Sequence, residues 1–274
     1  MPNLPTIAIL GAGSMGGAIL HGLIQPDVTV DGRIRVTNRT VAKASPLSSA
    51  AVESFALEET PDANLRAVDG ARLVIAGVKP HLIPDLLREI APALAPDAIV
   101  VSVAAAVTMA TMEAIVPGAV LRAMPNTPAV IGKAVTGLAA GTRSSTEDFI
   151  LARSLFETVG TVIEVPENKI DALSTISGSG PAYVFYLIEE LTRTAIGLGF
   201  SAEDAATMVN GTFLGATQLL ESSGVDPAEL RRRVTSPKGT TERAIAVLED
   251  ADLKSVFDRA TAAALARAGE LAAG

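Results

Sequence analysis

Two groups of small residues carry the chemistry this sequence offers. The first is Gly11-Ala12-Gly13-Ser14-Met15-Gly16, a G-x-G-x-x-G run. In a dinucleotide site Gly11 permits a tight turn, Gly13 lets the backbone approach a pyrophosphate, and Gly16 lets helix and strand pack closely. A helix opening at Ser14 then presents free N–H groups to phosphate. The second group is Ser236-Pro237-Lys238-Gly239-Thr240-Thr241. Its hydroxyls and N–H groups at a helix start suit a small anion such as a carboxylate. Plain N-capping is the simpler account, and it explains one hydroxyl better than the cluster. The chain has no cysteine and two histidines, His21 and His81. Thiolate nucleophiles, disulfides and histidine-rich metal sites are excluded together, and no metal is expected.

The residues after the second strand bear on which dinucleotide is bound. An NAD site carries an acid about 20 residues after the glycines, for the ribose 2′-OH. Here the strand ends Val36-Thr37-Asn38-Arg39-Thr40, with no acid. Arg39 suits a 2′-phosphate, which a carboxylate would repel, so NADPH is expected over NADH. Two further strand ends face the same crevice, Val78-Lys79-Pro80 and Met124-Pro125-Asn126-Thr127-Pro128. Asn126 can donate and accept, as a nicotinamide carboxamide or ribose hydroxyl requires. Lys79 is a candidate for cofactor oxygens. For both strand ends, ordinary loops that terminate strands are an equal reading.

These residues need a scaffold. Short β-rich runs at 6–10, 33–37, 73–78, 98–103 and 119–124 alternate with helical stretches near 14–25, 40–50, 81–91 and 108–115. That predicts βαβ units and a mostly parallel sheet. Two weaker strands, 135–140 and 161–165, flank a helix near 146–158. After about residue 166 only helical patterns follow: 167–176, 181–198, 202–222, 227–234, 240–249 and 252–271. Ser177–Tyr183 reads as a break between two of these helices. The expected organisation is a dinucleotide-binding α/β domain at 1–165 and an all-α domain at 166–274. The alanine-rich helices have few polar stripes, so a second subunit is expected to cover them.

Of 274 residues, 49% are hydrophobic and 19% charged, which supports a packed core. Net charge is −8, a poor footprint for nucleic acid. Residues 1–160 hold 12 basic and 14 acidic groups, so most of the negative charge lies in the helical half. Arg231-Arg232-Arg233 reads as ordinary charge at a helix end. The uncharged stretch 98–112 is too short to span a membrane. Residues 1–26 carry no charged side chain, hence no basic region before an apolar stretch, and a soluble cytoplasmic protein is expected.

Gly11–Gly16, Asn38-Arg39, Val78-Lys79-Pro80, Met124–Pro128, Ser177–Tyr183 and Thr235–Thr241 occur in the order and spacing of the pyrroline-5-carboxylate reductase family, which this chain resembles over its whole length. The last two motifs are the specific ones. The resemblance implies reduction of the cyclic imino acid 1-pyrroline-5-carboxylate to L-proline by NADPH or NADH. It also implies an N-terminal Rossmann domain and a helical domain that forms a homodimer, with larger rings up to a decamer of dimers. The loop Ser236–Thr241 would hold the substrate carboxylate, and the Thr241 hydroxyl would reach the ring nitrogen. Lys238 stands where the family has a small residue; pointing to solvent and assisting the carboxylate are its two readings. Rival readings are a β-hydroxyacid dehydrogenase-like reductase and a non-catalytic nucleotide-binding protein. The first expects a lysine within Asp171–Tyr183, where there is none.

Overall fold

The computed structural model describes residues 3–273. Its strands are β1 Asn3–Leu4, β2 Ile7–Leu10, β3 Thr29–Val30, β4 Ile34–Asn38, β5 Val52–Ala56, β6 Leu73–Ala76, β7 Ile99–Ser102, β8 Ala119–Met124, β9 Ala134–Ala140 and β10 Gly160–Glu164. Among them lie the helices α1 Ser14–Leu23, α2 Val41–Ala44, α3 Ala63–Val68, α4 Ile83–Ile90, α5 Met109–Glu113 and α6 Thr146–Glu157. Then follow α7 Ile170–Leu173, α8 Gly180–Gly197, α9 Ala202–Ser223, α10 Pro227–Arg233, α11 Thr240–Asp250 and α12 Leu253–Ala273.

Eight strands form one sheet in the order β10-β9-β8-β7-β6-β2-β4-β5, parallel except for the β8–β9 pair. The order reverses between β6 and β2, the switch point at which open α/β sheets bind ligands. Strand residues alternate between the two faces. Ile7 and Ile9 pack with Ile19, Leu23, Leu155 and Phe156 from α1 and α6. Ala8 and Leu10 pack with Ala67, Val68, Ile83 and Leu87 from α3 and α4. Each fully buried Ile or Leu contributes ~1.5–3 kcal/mol by leaving water. This two-sided burial explains why the runs are apolar throughout.

Four expectations need correction. Strand β5 goes unpredicted because Glu53 and Ser54 interrupt its apolar pattern, as an edge strand paired only with β4 allows. Helix α3 was likewise not anticipated. The stretch 40–50 is only α2 and a 3-10 turn, where Pro46 ends the α-helix. Ser177–Tyr183 is a narrower break than expected: α7 runs into a π-turn, Ser174–Gly178, only Ser179 stands outside a helix, and α8 opens at Gly180.

Two compact units divide the chain. One runs to Ser179 and includes the last helix from Ala264; the other is Gly180–Ala263. The division thus falls later than residue 165. The reason is that α7 belongs to the sheet: Ile170 is buried in its core, and Asp171 pairs with Arg122 on β8 at 2.6 Å. In the second unit α8 packs against α9. Ser201 caps α9 by accepting from the Asp204 N–H, and Gly224 ends it at φ 61°. Large apolar side chains on these helices face solvent, among them Phe185 (66% exposed) and Leu214 (60%). No helix among the described residues is long and apolar enough to cross a membrane.

Candidate functional site

The glycine run sits at the C-terminal end of β2, beside the ends of β4 and β6. Gly11 takes φ 88°, the left-handed region, and its N–H and that of Ala12 donate to the Thr37 carbonyl at 3.0 and 3.1 Å. A Cβ at Gly16 would lie 2.6 Å from the Gly11 carbonyl oxygen, so only glycine lets α1 approach the turn. A Cβ at Gly13 would meet nothing within 4 Å. No contact inside the chain explains this second glycine of the run; a close approach of its backbone to a pyrophosphate would. Gly13 is the N-cap of α1 and brings no side-chain cap; of the helix-opening residues Ser14 is exposed, Met15 half-buried and Gly16 buried. The cradle fits a dinucleotide pyrophosphate.

Asn38 ends β4, buried, with its amide donating to the Lys43 carbonyl at 3.4 Å. Arg39 follows it, exposed, and no ion pair reaches it among the described residues. Glu58, whose N–H donates to the Arg39 carbonyl at 3.2 Å, has its carboxylate occupied at the Val41 N–H at 2.6 Å. Val78 closes the floor of the turn: its Cγ1 would stand 2.9 Å from a Cβ on Gly11. Lys79 is exposed, and Pro80 opens the 3-10 turn Pro80–Leu82. Asn126 is buried at the end of β8. Its Oδ1 accepts from the Val135 N–H and its Nδ2 donates to the Ser177 carbonyl, both at 2.9 Å. One N–H and one oxygen lone pair of its amide are thereby engaged inside the protein.

The hydroxyl loop lies in the second unit, between α10 and α11. Its N-cap is Gly239, which has no hydroxyl, and α11 receives no side-chain cap. Capping therefore does not account for Ser236, Thr240 or Thr241. None of the three hydroxyls has a protein partner among the described residues. Three unbonded hydroxyls close in sequence to an uncapped helix start are the donors an anion site would need. Lys238 takes φ 60°. The loop therefore does require the left-handed region at this position, at a cost that glycine would avoid. Its N–H donates to Glu242 Oε2 at 2.8 Å, which holds the turn. The three arginines upstream are paired: Arg232 and Arg233 with Glu229, and Arg231 with Glu249. The two guanidiniums hold the Glu229 carboxyl down at about 2.

Three contributors were not singled out from sequence. Gly77, one residue past β6, would place a Cβ 2.8 Å from the Gly11 carbonyl oxygen. Its position directly after an apolar strand was the available signal. Ala106, in the loop after β7, takes φ 63° without being glycine, and no local pattern announces that. Glu242, an acid in the first turn of α11, reaches back to the loop. Lys169, the lysine nearest to the stretch where a hydroxyacid dehydrogenase would need one, is exposed ahead of α7.

A family model described as pyrroline-5-carboxylate reductase dimerisation matches residues 167–271, and one described as NADP oxidoreductase, coenzyme F420-dependent, matches residues 6–106. The chain is 38% identical to the pyrroline-5-carboxylate reductase of Pseudomonas aeruginosa, covering 98% of each. It superimposes on the solved structure of that enzyme from Coxiella burnetii with TM-score 0.88 and 35% identity, over 97% of this chain and 98% of that one. The fold recurs at TM-score 0.82 and 22% identity in the Plasmodium falciparum protein solved with NADP bound, over 97% and 98%.

Proposed function

Because this chain belongs to the pyrroline-5-carboxylate reductase family, we infer that it reduces 1-pyrroline-5-carboxylate to L-proline with NAD(P)H as the reductant. The observation that carries the site assignment is the pair of cradles, each open for want of an internal partner. Gly13 leaves space that nothing in the chain fills, and Ser236, Thr240 and Thr241 keep their hydroxyls uncommitted.

Gly11, Ala12, Gly13, Ser14, Met15 and Gly16 hold the pyrophosphate in this reading. Asn38 and Arg39 take the adenosine ribose, with Arg39 on the 2′-phosphate of NADPH. Val78, Lys79 and Pro80 line the next strand end. The bound nicotinamide supplies the hydride. Ser236, Gly239 and Thr240 hold the substrate carboxylate at the α11 N-terminus, and Lys238 adds a cation there. Thr241 is the catalytic group: its hydroxyl bonds the ring nitrogen and turns the imine carbon toward the donor. The protonated imine keeps its proton on nitrogen while its carbon gains the hydride, so no strong protein acid is required. Position, rather than acid strength, is what the chain contributes.

The reading also includes a cytoplasmic homodimer formed through the helical half, with a decamer of dimers as the larger assembly. The exposed apolar faces of α8 and α9 support the pairing. Thr241→Ala tests the chemistry. A loss of one such hydrogen bond and its alignment lowers kcat by about tenfold or more, with the NADPH KM unchanged. Turnover equal to the parent's removes Thr241 from the mechanism.

A further inference from the structure

Asn126 stands directly before the 3-10 turn Thr127–Ile131, at the end of β8 and on the sheet edge that carries the dinucleotide cradle. It is buried, and both ends of its amide are engaged: Oδ1 with the Val135 N–H, Nδ2 with the Ser177 carbonyl. Ser177 lies in the π-turn, where the Ser179 N–H donates to the Ser174 carbonyl at 2.8 Å. In an α-helix the Ser177 carbonyl takes the N–H of residue 181. That residue is Pro181, which has no N–H to give. A part-buried carbonyl left without a donor is costly. Asn126 provides the donor that Pro181 removes.

The neighbouring segment is fixed independently. Arg122, on β8 and 2% exposed, pairs with Asp171 on α7 at 2.6 Å. Leu173 lies over Gly137, where an added Cβ would come 2.7 Å from its Cδ1. With α7 anchored upstream, the Asn126 bond joins the Ser177 Oγ–Leu173 carbonyl bond and the Ser179–Ser174 backbone bond in holding Ser177–Ser179, and among the described residues it is the one hydrogen bond that ties them to the end of β8.

We propose that Asn126 is a positioning residue: its carboxamide holds the Ser174–Gly178 π-turn to the cofactor edge of the sheet and so sets the hydride-transfer geometry without itself binding the cofactor. Single-turn π segments recur at functional positions, and this one ends where the helical unit begins. The proposal rests on the reductase reading given above.

Asn126→Asp is the test. It keeps the acceptor for Val135 and replaces the donor to Ser177 with an oxygen. The expected result is an NADPH Kd, by fluorescence titration, within about twofold of the parent, with a single-turnover hydride-transfer rate about 10- to 100-fold lower. Gly178→Ala leaves Asn126 intact but puts a Cβ 2.8 Å from Ser174 Oγ inside the same turn. It is expected to give the same split, and it carries the test if Asn126→Asp does not fold. An NADPH Kd that rises as much as the rate falls makes Asn126 a direct ligand and overturns the proposal. Folded variants with parental rates overturn it equally. A parent that does not oxidise NADPH with pyrroline-5-carboxylate retires the functional reading instead. The clamp is then still tested by hydrogen exchange at the Ser179 amide, which the proposal requires to be faster in Asn126→Asp.

Discussion

Lys238→Gly separates two effects that lysine has in the hydroxyl loop. At φ 60° the backbone of an L-residue is crowded by its own Cβ, at a cost of ~1–2 kcal/mol. The Lys238–Glu242 bond at 2.8 Å and the Gly239–Ser236 backbone bond at 3.0 Å hold that conformation, and neither depends on the lysine side chain. Glycine removes the crowding and adds ~0.5–1 kcal/mol of freedom to the unfolded chain. The difference is a stabilisation of ~0.5–1 kcal/mol, or ~1–4 °C in Tm for a chain of this length. The same substitution deletes an exposed ammonium from the proposed carboxylate site. An exposed ion pair contributes ~0.2–1 kcal/mol, so the imino-acid KM rises by a factor of ~1.5–5. Turnover stays near the parent's, because the ammonium touches no reacting atom. Thermal melts read the first effect. Steady-state kinetics at low and high salt read the second, and the KM gap closes as salt rises. A lower Tm shows that position 238 is not strained. A parental KM at low salt removes Lys238 from the substrate site.

Arg39→Ala is expected to raise the KM for NADPH by about 10- to 100-fold, the weight of a charged hydrogen bond, while the KM for NADH barely moves. Equal responses to both cofactors would place the arginine away from the 2′-phosphate. Asp148 gives a pH-dependent test. Burial pushes its carboxyl up, but the Ser145 backbone N–H, the Arg72 guanidinium and the Ser145 hydroxyl together hold it below the ordinary value of 3.8. A carboxyl lowered by folding stabilises fully above its unfolded value and loses that contribution as pH falls through the lowered one. The stability gap between parent and Asp148→Asn is therefore widest near neutrality and narrows in acid, as urea melts at about pH 7 and pH 3 will read. A gap that does not change with pH contradicts the assignment.

What the sequence made legible follows from where each interaction partner lies. The strands from Ile7 to Met124 were readable because burial on both faces leaves continuous apolar runs, a local signal. Strand β5 lacked it, since Glu53 and Ser54 sit on a half-solvated edge. The helices from Gly180 onward announced themselves through their breaks at Gly199 and Gly224, both at positive φ. Within Ser177–Tyr183 the break at Ser179 was legible, but not how the π-turn before it is held. Glycine, serine and proline normally end helices, and here the carbonyl stranded by Pro181 is satisfied from 51 residues away by Asn126. No local pattern contains that donor.

The glycines of the cradle mark the same boundary from the other side. Gly11 is required by its own φ, and Gly16 by the carbonyl that a side chain would strike. Both would be glycine in a turn that binds nothing. Gly13 is required by neither, since the space above it is empty of protein to 4 Å. The hydroxyls of Ser236, Thr240 and Thr241 pose the same question, because the cap they could have supplied is absent and Gly239 stands in its place. Residue types that the chain's own packing does not demand are the ones whose partners lie outside it. On that ground Gly13 and the three hydroxyls, more than the better-packed residues around them, carry the proposed sites for the dinucleotide and the imino acid.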